Sequence, residues 1–439
     1  MNDSNSLLTR RDVLAASLGT AALSGMSATG SALAQPAEMP STSRELWQWA
    51  RTQPVLDLQV SYLDVASAGP TLRACMAAEY RARESQSLGV AGAANERWSA
   101  ETTRLATRCA TFAGCDADEV LFTRGTGEGI GMVAAGIDLN AGDEIVTTDR
   151  EHPAALSPWL VLARRRGVVV KQISLPAPMT SPEQAVALFT GALTDRTKVI
   201  AFQHVQYSDG AILPVRDLCA LARQRNILSV VDGAQGFGML DFALRELGCD
   251  FYAASFHKWL GACHGTGMLY VRREMLDRLW PVEPRGIDAS PPILTPTQSA
   301  GHDGVPAALH KLGNIVPHVW PALRGAEAAL EFQQQVLRSR IDARVRELAI
   351  YARLRLQPFS TLELYTPVQA GWWGGILTFR AKGRSASDLA AALVRSHRVY
   401  VRDLQWPGAP EGAVRASFQT FNSLDDVDRL AQALQQALR

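Results

Sequence analysis

Between residues 63 and 270 short apolar runs alternate with amphipathic stretches of helical period, as in an α/β domain whose sheet is largely parallel. Val120–Thr123, Glu144–Thr147, Val168–Val170, Val199–Phe202, Leu228–Val231 and Gly267–Val271 read as strands. Helices fit between them, and the apolar spacing from Asp217 to Gln224 predicts a crossover helix feeding the Val230 strand. Dense Pro, Gly and Ser between Pro281 and Pro306 mark a loop or domain connection. Beyond it, Leu323 to Leu356 reads as one or two long helices ended by Pro358. Gly375–Phe379 and Val414–Phe418 read as strands of a smaller α+β domain.

The first residues do not belong to this pattern. Arg10 and Arg11 stand directly ahead of a mild apolar stretch from Val13 to Leu33, which closes on Ala32-Leu33-Ala34 before Gln35. This is the layout of a signal peptide with a small-x-small cleavage site near Ala34. Gly, Ser and Thr dilute the stretch and no stop-transfer pattern flanks it, which argues against a permanent membrane anchor. The order Thr9-Arg10-Arg11-Asp12-Val13-Leu14 resembles the twin-arginine export signal, used by proteins that fold, often around a cofactor, before translocation. A periplasmic location is therefore expected, with the twin-arginine machinery as a transient partner.

The division expected along the chain is a signal over 1–34, an amino-terminal segment over 35–60, a large domain over 61–285, a connecting loop over 286–310 and a small domain over 311–439. Its 439 residues, 47% hydrophobic and 20% charged, are enough to bury two cores. A net charge of +1, without basic runs interleaved with aromatics, recommends neither nucleic acid nor an anionic membrane surface as partner. A small-molecule or peptidyl amine substrate fits better. Six cysteines (Cys75, Cys109, Cys115, Cys219, Cys249, Cys263) show no paired metal-ligand spacing, so no metal site is expected and they read as buried thiols, with any disulfide pairing open.

Four constellations carry candidate chemistry. The first, Thr123-Arg124-Gly125-Thr126-Gly127-Glu128-Gly129, follows a strand and opens a helix. Glycine amides, the positive helix end and the Thr126 hydroxyl would make an anion cup, although such turns also arise for steric reasons. A loose dinucleotide fingerprint from Gly129 begins too far inside the helix to support a nicotinamide enzyme. In the second, Glu151-His152-Pro153, the His152 imidazole lies just past a strand end, where it can stack on an aromatic ligand; the alternative is a surface histidine. Third, the apolar strand at Val230 ends in Asp232, followed by Gly233-Ala234-Gln235. A buried carboxylate there needs a cationic partner such as a protonated pyridine nitrogen, and Gln235 could donate to a ring oxygen; an ordinary helix cap is the plainer reading. The fourth is Ser255-Phe256-His257-Lys258-Trp259, in a chain with few lysines. Apolar neighbours favour a neutral, nucleophilic amine over the solvated lysine that would be the default.

Order and spacing of these residues resemble the class V aminotransferase group of fold type I PLP enzymes, which includes cysteine desulfurases and isopenicillin N epimerase. The likeness runs from Tyr62-Leu63-Asp64 to Val414-Arg415-Ala416-Ser417 and on to Asp425-Asp426-Val427. It implies a large domain with a mainly parallel seven-stranded sheet, a smaller carboxyl-terminal α+β domain, and pyridoxal 5′-phosphate as cofactor. By the same resemblance Lys258 is the Schiff-base lysine and proton carrier, Asp232 pairs with the pyridine nitrogen, and His152 lies over the ring. Gly125, Thr126, Gly127, Ser255 and His257 hold the phosphate, Gln235 touches the phenolic oxygen, and Arg415 binds a substrate carboxylate. Gly313-Asn314 stands where relatives reach the neighbouring subunit's phosphate, which implies a homodimer.

Three departures shape the functional expectation. Tyr207 replaces the usual Asn or Ser near the cofactor, Cys263 stands where Pro is common, and the stretch 401–410 has no cysteine where a desulfurase needs a sulfur-accepting thiolate. An aminotransferase or isopenicillin N epimerase-like activity is expected, ahead of a C–S lyase or desulfurase or a catalytically silent binding protein. Export with this domain also resembles the periplasmic PLP enzymes that tailor pyoverdine-type siderophore precursors.

Overall fold

The computed structural model describes residues 40, 42–88, 94–282, 305–312 and 316–439, apart from the side chains of residues 94–99, 316–319 and 410. The signal region, most of the 286–310 loop, Gly313 and Asn314 lie outside the described residues. In chain order the first elements are helix α1 (Ser43–Thr52), strand β1 (Ser61–Tyr62) and helices α2 (Arg73–Leu88) and α3 (Ala94–Ala113). Then β2 (Val120–Thr123), α4 (Thr126–Gly136), β3 (Glu144–Thr148), α5 (Pro153–Arg166), β4 (Val169–Ile173), α6 (Pro182–Ala192), β5 (Thr197–Gln203), α7 (Val215–Gln224), β6 (Leu228–Asp232), β7 (Phe251–Ser255) and β8 (Gly267–Val271) build the large sheet and its crossovers.

That sheet has seven strands in the order β2-β8-β7-β6-β5-β3-β4. β8 is antiparallel to both neighbours and every other pair is parallel. β2, β3, β6, β7 and β8 are buried along their whole length, which explains why β2, β3, β6 and β8 read as short continuous runs and not as alternating ones. The mainly parallel seven-stranded sheet expected from the sequence is present. β7 was not among the strands read from the pattern. Its sequence, Phe251-Tyr252-Ala253-Ala254-Ser255, has no β-branched residue because α4 lies close against it: a Cβ on Gly129 would come within 3.0 Å of the Ala253 Cβ.

The carboxyl-terminal part comprises α8 (Val316–Val336), α9 (Arg338–Leu356), β9 (Leu362–Leu364), β10 (Ile376–Ala381), α10 (Ala386–His397), β11 (Val399–Tyr400), β12 (Arg402–Trp406), β13 (Ala409–Ser417) and α11 (Leu424–Ala437). The long helical stretch is thus two helices, parted at Leu337, where φ is +77°. β12-β13-β10-β9 form an antiparallel sheet. One face, with Leu377, Phe379, Val414 and Ala416, packs on Leu348 of α9, Leu389 and Leu393 of α10 and Leu430 and Leu434 of α11. Alternate residues Thr378, Arg415 and Ser417 take the opposite face. That face meets the segment after β1, where the Ala66 amide donates to Ser417 Oγ at 3.0 Å. β1 also pairs in parallel with β11 in a separate two-stranded sheet, so the chain just ahead of the large sheet is stitched to the carboxyl-terminal part.

A buried ion pair ties the loops above the sheet together. Arg150 Nη1 lies 2.6 Å from Asp209 Oδ2, and neither side chain is more than 1% exposed. Arg150 Nη2 donates to the Pro176 carbonyl, Asp209 Oδ1 accepts the Ala211 amide, and Thr366 Oγ1 donates to the Asp209 carbonyl. Removing one partner strands the other charge in a medium that solvates it poorly. Asp209→Ala is therefore expected to destabilise the protein by roughly 3–5 kcal/mol, read as a fall in the urea midpoint. The double change Arg150→Met with Asp209→Leu should recover most of that loss, and failure of the double variant to recover would show that the pair does more than neutralise itself.

Candidate active site

Parallel strands deliver their carboxyl ends to one side of the sheet, and the side chains gathered there line a cleft of about 370 Å³. The turn after β2, the loop after β3, the end of β6 and the turn after β7 all contribute: Gly125, Thr126, Gly127, His152, Asp232, Gln235, Ser255, His257 and Lys258 line it together. Residues read separately along the sequence are thus brought to one place, as far apart in the chain as Gly125 and Lys258. Arg415 is not on the wall of this cleft; it lies behind Ser67 and Tyr207, which are.

One end of the cleft suits an anion. The Thr126 amide donates to Ser255 Oγ at 2.9 Å, and the two hydroxyls of Thr126 and Ser255 are also 2.9 Å apart. Gly125 keeps the space between them open, since a Cβ there would sit 3.2 Å from Ser255 Oγ and 3.8 Å from His257 Cε1. α4 begins at this point and turns its positive end to the cleft. His257 Nδ1 is buried without a hydrogen-bond partner, an unmet demand that a phosphate oxygen could satisfy. Burial, then the Lys258 charge, pushes the His257 ring down to about 4, and it stacks on His264 with centroids 5.0 Å apart. At the rim Arg124 Nε donates to Glu128 Oε1 at 2.8 Å.

The other end suits a flat ring with a basic nitrogen. Asp232 is buried at the tip of β6, where its Oδ1 accepts the Ala234 amide at 2.9 Å. Burial raises its carboxyl above the ordinary range, while the Ala234 amide and the Lys258 charge oppose that rise. Glu151 is also buried, accepting the Thr148 hydroxyl at 2.6 Å; burial first, and the nearby Asp232 charge after it, push it up to about 8. His152 caps α5: Pro153 occupies the first helical position and His152 Nδ1 accepts the Ala154 amide at 3.2 Å. That bond fixes the imidazole plane and leaves the proton of the neutral ring on Nε2. Burial, with Lys258 adding to it, holds the ring down at about 4, and the Tyr207 ring meets it edge-on at 5.2 Å.

Lys258 sits between these ends, three residues past the end of β7. Burial pushes its amine down to about 8, against the pull of the Asp232 carboxylate. The segment after β1 presses on its backbone: the Gly69 amide donates to the His257 carbonyl at 2.8 Å, and a Cβ on Gly69 would fall 2.1 Å from the Lys258 carbonyl oxygen. Only glycine allows that approach. Gln235 Oε1 accepts Trp259 Nε1–H at 2.7 Å while its Nε2 donates to the Ala66 carbonyl at 2.9 Å. Much of the Gln235 amide is therefore spent bracing Trp259 and the Ala66 segment, which leaves one N–H for the ring contact expected of it.

Arg415 differs from the open carboxylate fork expected from sequence. Its Nη2 donates to Asp64 Oδ1 at 2.9 Å and to Ser67 Oγ at 2.7 Å, its Nη1 to the Tyr207 carbonyl at 3.0 Å, and it is 2% exposed. Its Nη2 is thus spent on Asp64 and Ser67, while its buried Nε has no hydrogen-bond partner. Asp64 and Ser67 carried no local signal, because their partner lies 351 and 348 positions away. Gln203, which lines the cleft and bonds the Arg150 carbonyl and the Tyr207 amide, could have been found as a polar residue at the end of an apolar parallel strand.

Comparison with known proteins bears on the family and the fold. The family model described as aminotransferase class-V matches residues 61–430. Isopenicillin N epimerase of Amycolatopsis lactamdurans is 32% identical over 417 residues, which cover 89% of this chain and 98% of that protein. The solved cysteine desulfurase CsdA of Escherichia coli is similar with a TM-score of 0.75 at 27% identity, over 89% of this chain and 98% of the other. A C-DES variant with glycine covalently linked to its PLP cofactor shares the fold, with a TM-score of 0.75 at 19% identity over 90% of this chain and 99% of its own.

An amine held at about 8 loses its proton as the pH climbs through that value. In cofactor-free protein, reductive methylation at Lys258, followed by peptide mass spectrometry, should accelerate between about pH 7 and 9 and then level off. A rate still rising steeply at about pH 10 would show that burial does not depress this amine.

Proposed function

The chain belongs to the class V aminotransferase family, whose fold carries pyridoxal 5′-phosphate, and from that premise we propose that it moves a proton on the amine-bearing carbon of an amino acid or amino-acid-derived substrate, in the manner of an aminotransferase or an isopenicillin N epimerase. The residues fit the cofactor. Gly125, Thr126, Gly127, Ser255 and His257 would hold its phosphate, Asp232 its ring nitrogen, and Lys258 its carbonyl carbon, with His152 over the ring. When bound, the cofactor supplies a sink for the electron pair left on the substrate carbon.

The chain's own groups divide the rest of the work. The Asp232 carboxylate keeps a proton on the ring nitrogen, which is what makes that sink effective. Neutral Glu151 beside it spares Asp232 a second buried negative charge. The Lys258 amine takes the proton from the substrate carbon and returns it. His152, braced by Tyr207, shields one face of the ring from water.

One observation carries the choice of C–H chemistry over sulfur transfer: the cleft holds an amine beside a carboxylate and no thiol. All six cysteines are buried, and burial raises their thiols, the opposite of what a sulfur-accepting thiolate needs. The 401–410 stretch, where relatives that move sulfur need a cysteine, is here largely the hairpin of β12 and β13. The Arg10-Arg11 pair supports export to the periplasm, where pyoverdine-type siderophore precursors are the substrate class to which the resemblance points. A homodimer completed through Gly313 and Asn314 belongs to the same reading.

Incubating the holoenzyme in deuterated water with amino acids separates the outcomes by mass spectrometry and chiral chromatography. Deuterium at the α-carbon with loss of chirality means epimerisation, and a keto acid means amino transfer; either supports the proposal. Alanine and released sulfur from cysteine would overturn it. Lys258→Ala should lose the borohydride-fixed mass adduct and reduce turnover by roughly two to four orders of magnitude. For location, Arg10→Lys with Arg11→Lys should leave the protein in the cytoplasmic fraction; undiminished periplasmic protein would exclude twin-arginine export.

A further inference from the structure

The small sheet places two arginines face to face. In the β12–β13 ladder Arg402 is the direct partner of Arg415, and opposed residues of an antiparallel pair project to the same side of the sheet. That side is the one turned to the cleft, because Arg415 reaches Asp64, Ser67 and the Tyr207 carbonyl from it. Arg402 is exposed, and its charge acts on both Arg415 and the half-buried Tyr62 phenol. Tyr62 in turn donates to the Ala68 carbonyl at 2.7 Å, in the segment that carries Asp64 and Ser67. Arg402 is therefore the exposed member of the pair, on the same side of the small sheet as Arg415 and close to the segment whose Ser67 lines the cleft.

Like charges directly opposite on a sheet destabilise it unless something lies between or beside them. Asp64 neutralises Arg415, but among the described residues no carboxylate pairs with Arg402. Asp64 serves one of the two guanidiniums, so the positive charge of the other is left over on this side of the sheet. Other arginines of the small domain are spent differently: exposed Arg398 pairs with Asp57, and half-buried Arg380 with Glu363 and Glu411. A free, planar, permanently charged donor on this side of the sheet is suited to a carboxylate of the incoming molecule.

We propose that Arg402 is a specificity-determining residue that binds a second carboxylate of the substrate, so that the preferred substrate is an α-amino dicarboxylate. This rests on the function proposed above and narrows its substrate class. The amine goes to the Lys258 end, one carboxylate lies toward Arg415, and the distal carboxylate meets Arg402 at the rim. A neutral side chain of the same length loses that last contact alone.

The test is a titration of the holoenzyme's cofactor absorbance with L-glutamate and with L-glutamine, which have the same length and differ in the distal charge. Wild type should bind glutamate about tenfold more tightly, and added salt should erode the difference. Arg402→Ala should bring the two within about twofold while leaving glutamine binding unchanged, and Arg402→Lys should keep part of the preference. Equal affinities in wild type, a response to neither amino acid, or a preference that survives Arg402→Ala would each overturn the second anion site. Since wild type and both variants carry the cofactor band if Lys258 and Asp232 act as proposed, absence of that band in wild type would instead sink the underlying functional reading.

Discussion

An amine can serve as nucleophile and proton carrier near neutral pH only where water is scarce enough to release its proton, yet a carboxylate must lie close enough to steady the charged ring nitrogen it works with. In the role proposed for them, Lys258 and Asp232 would meet both demands, just past the carboxyl ends of β7 and β6. Much of the surrounding structure keeps that pair in place. Small residues on β7 let α4 approach closely enough to aim its amino end at the cleft, and Gly69 lets the segment after β1 lie directly on the Lys258 peptide. Gln235 and Trp259 brace each other beside the lysine, with Gln419 and Gln333 holding the Trp259 carbonyl from the small domain and α8.

Coupling between the two domains runs through charge more than through apolar contact at this point. Arg415, on the cleft face of the small sheet, is bound by Asp64 and Ser67 from the segment after β1 and by the Tyr207 backbone from the loop after β5. The Arg150–Asp209 pair, with Thr366 on the Asp209 carbonyl, repeats the device a short way off. Buried pairs of this kind contribute little net stability, but each is costly to separate, so they fix relative positions. The consequence for function is that Tyr207, and through it the His152 ring, is held from two domains at once.

Isopenicillin N epimerases and cysteine desulfurases are both relatives of this chain, and no cysteine is among the described residues that line its cleft. Cys263 illustrates the point. Its position close to Lys258 in sequence invites a nucleophilic reading, yet its sulfur is turned toward Gly325 and Cys75 and is buried, with the thiol held up. Proximity along the chain did not place it in the site.

Periodicity and turn chemistry made six of the seven large-sheet strands, the glycine turn after β2 and the placing of His152 and Asp232 at or just past strand ends legible from sequence, because each depends on neighbours within a few residues. β7 escaped because its composition answers to the helix packed on it and not to strand propensity. The engagement of Arg415 by Asp64 and Ser67, the bracing role of Gln235, the burial of Glu151 beside Asp232 and the facing of Arg402 with Arg415 were decided only by the tertiary structure. These depend on register and on contacts between residues hundreds of positions apart, and a local pattern of apolar and polar residues carries no record of which distant partner a charged side chain will meet.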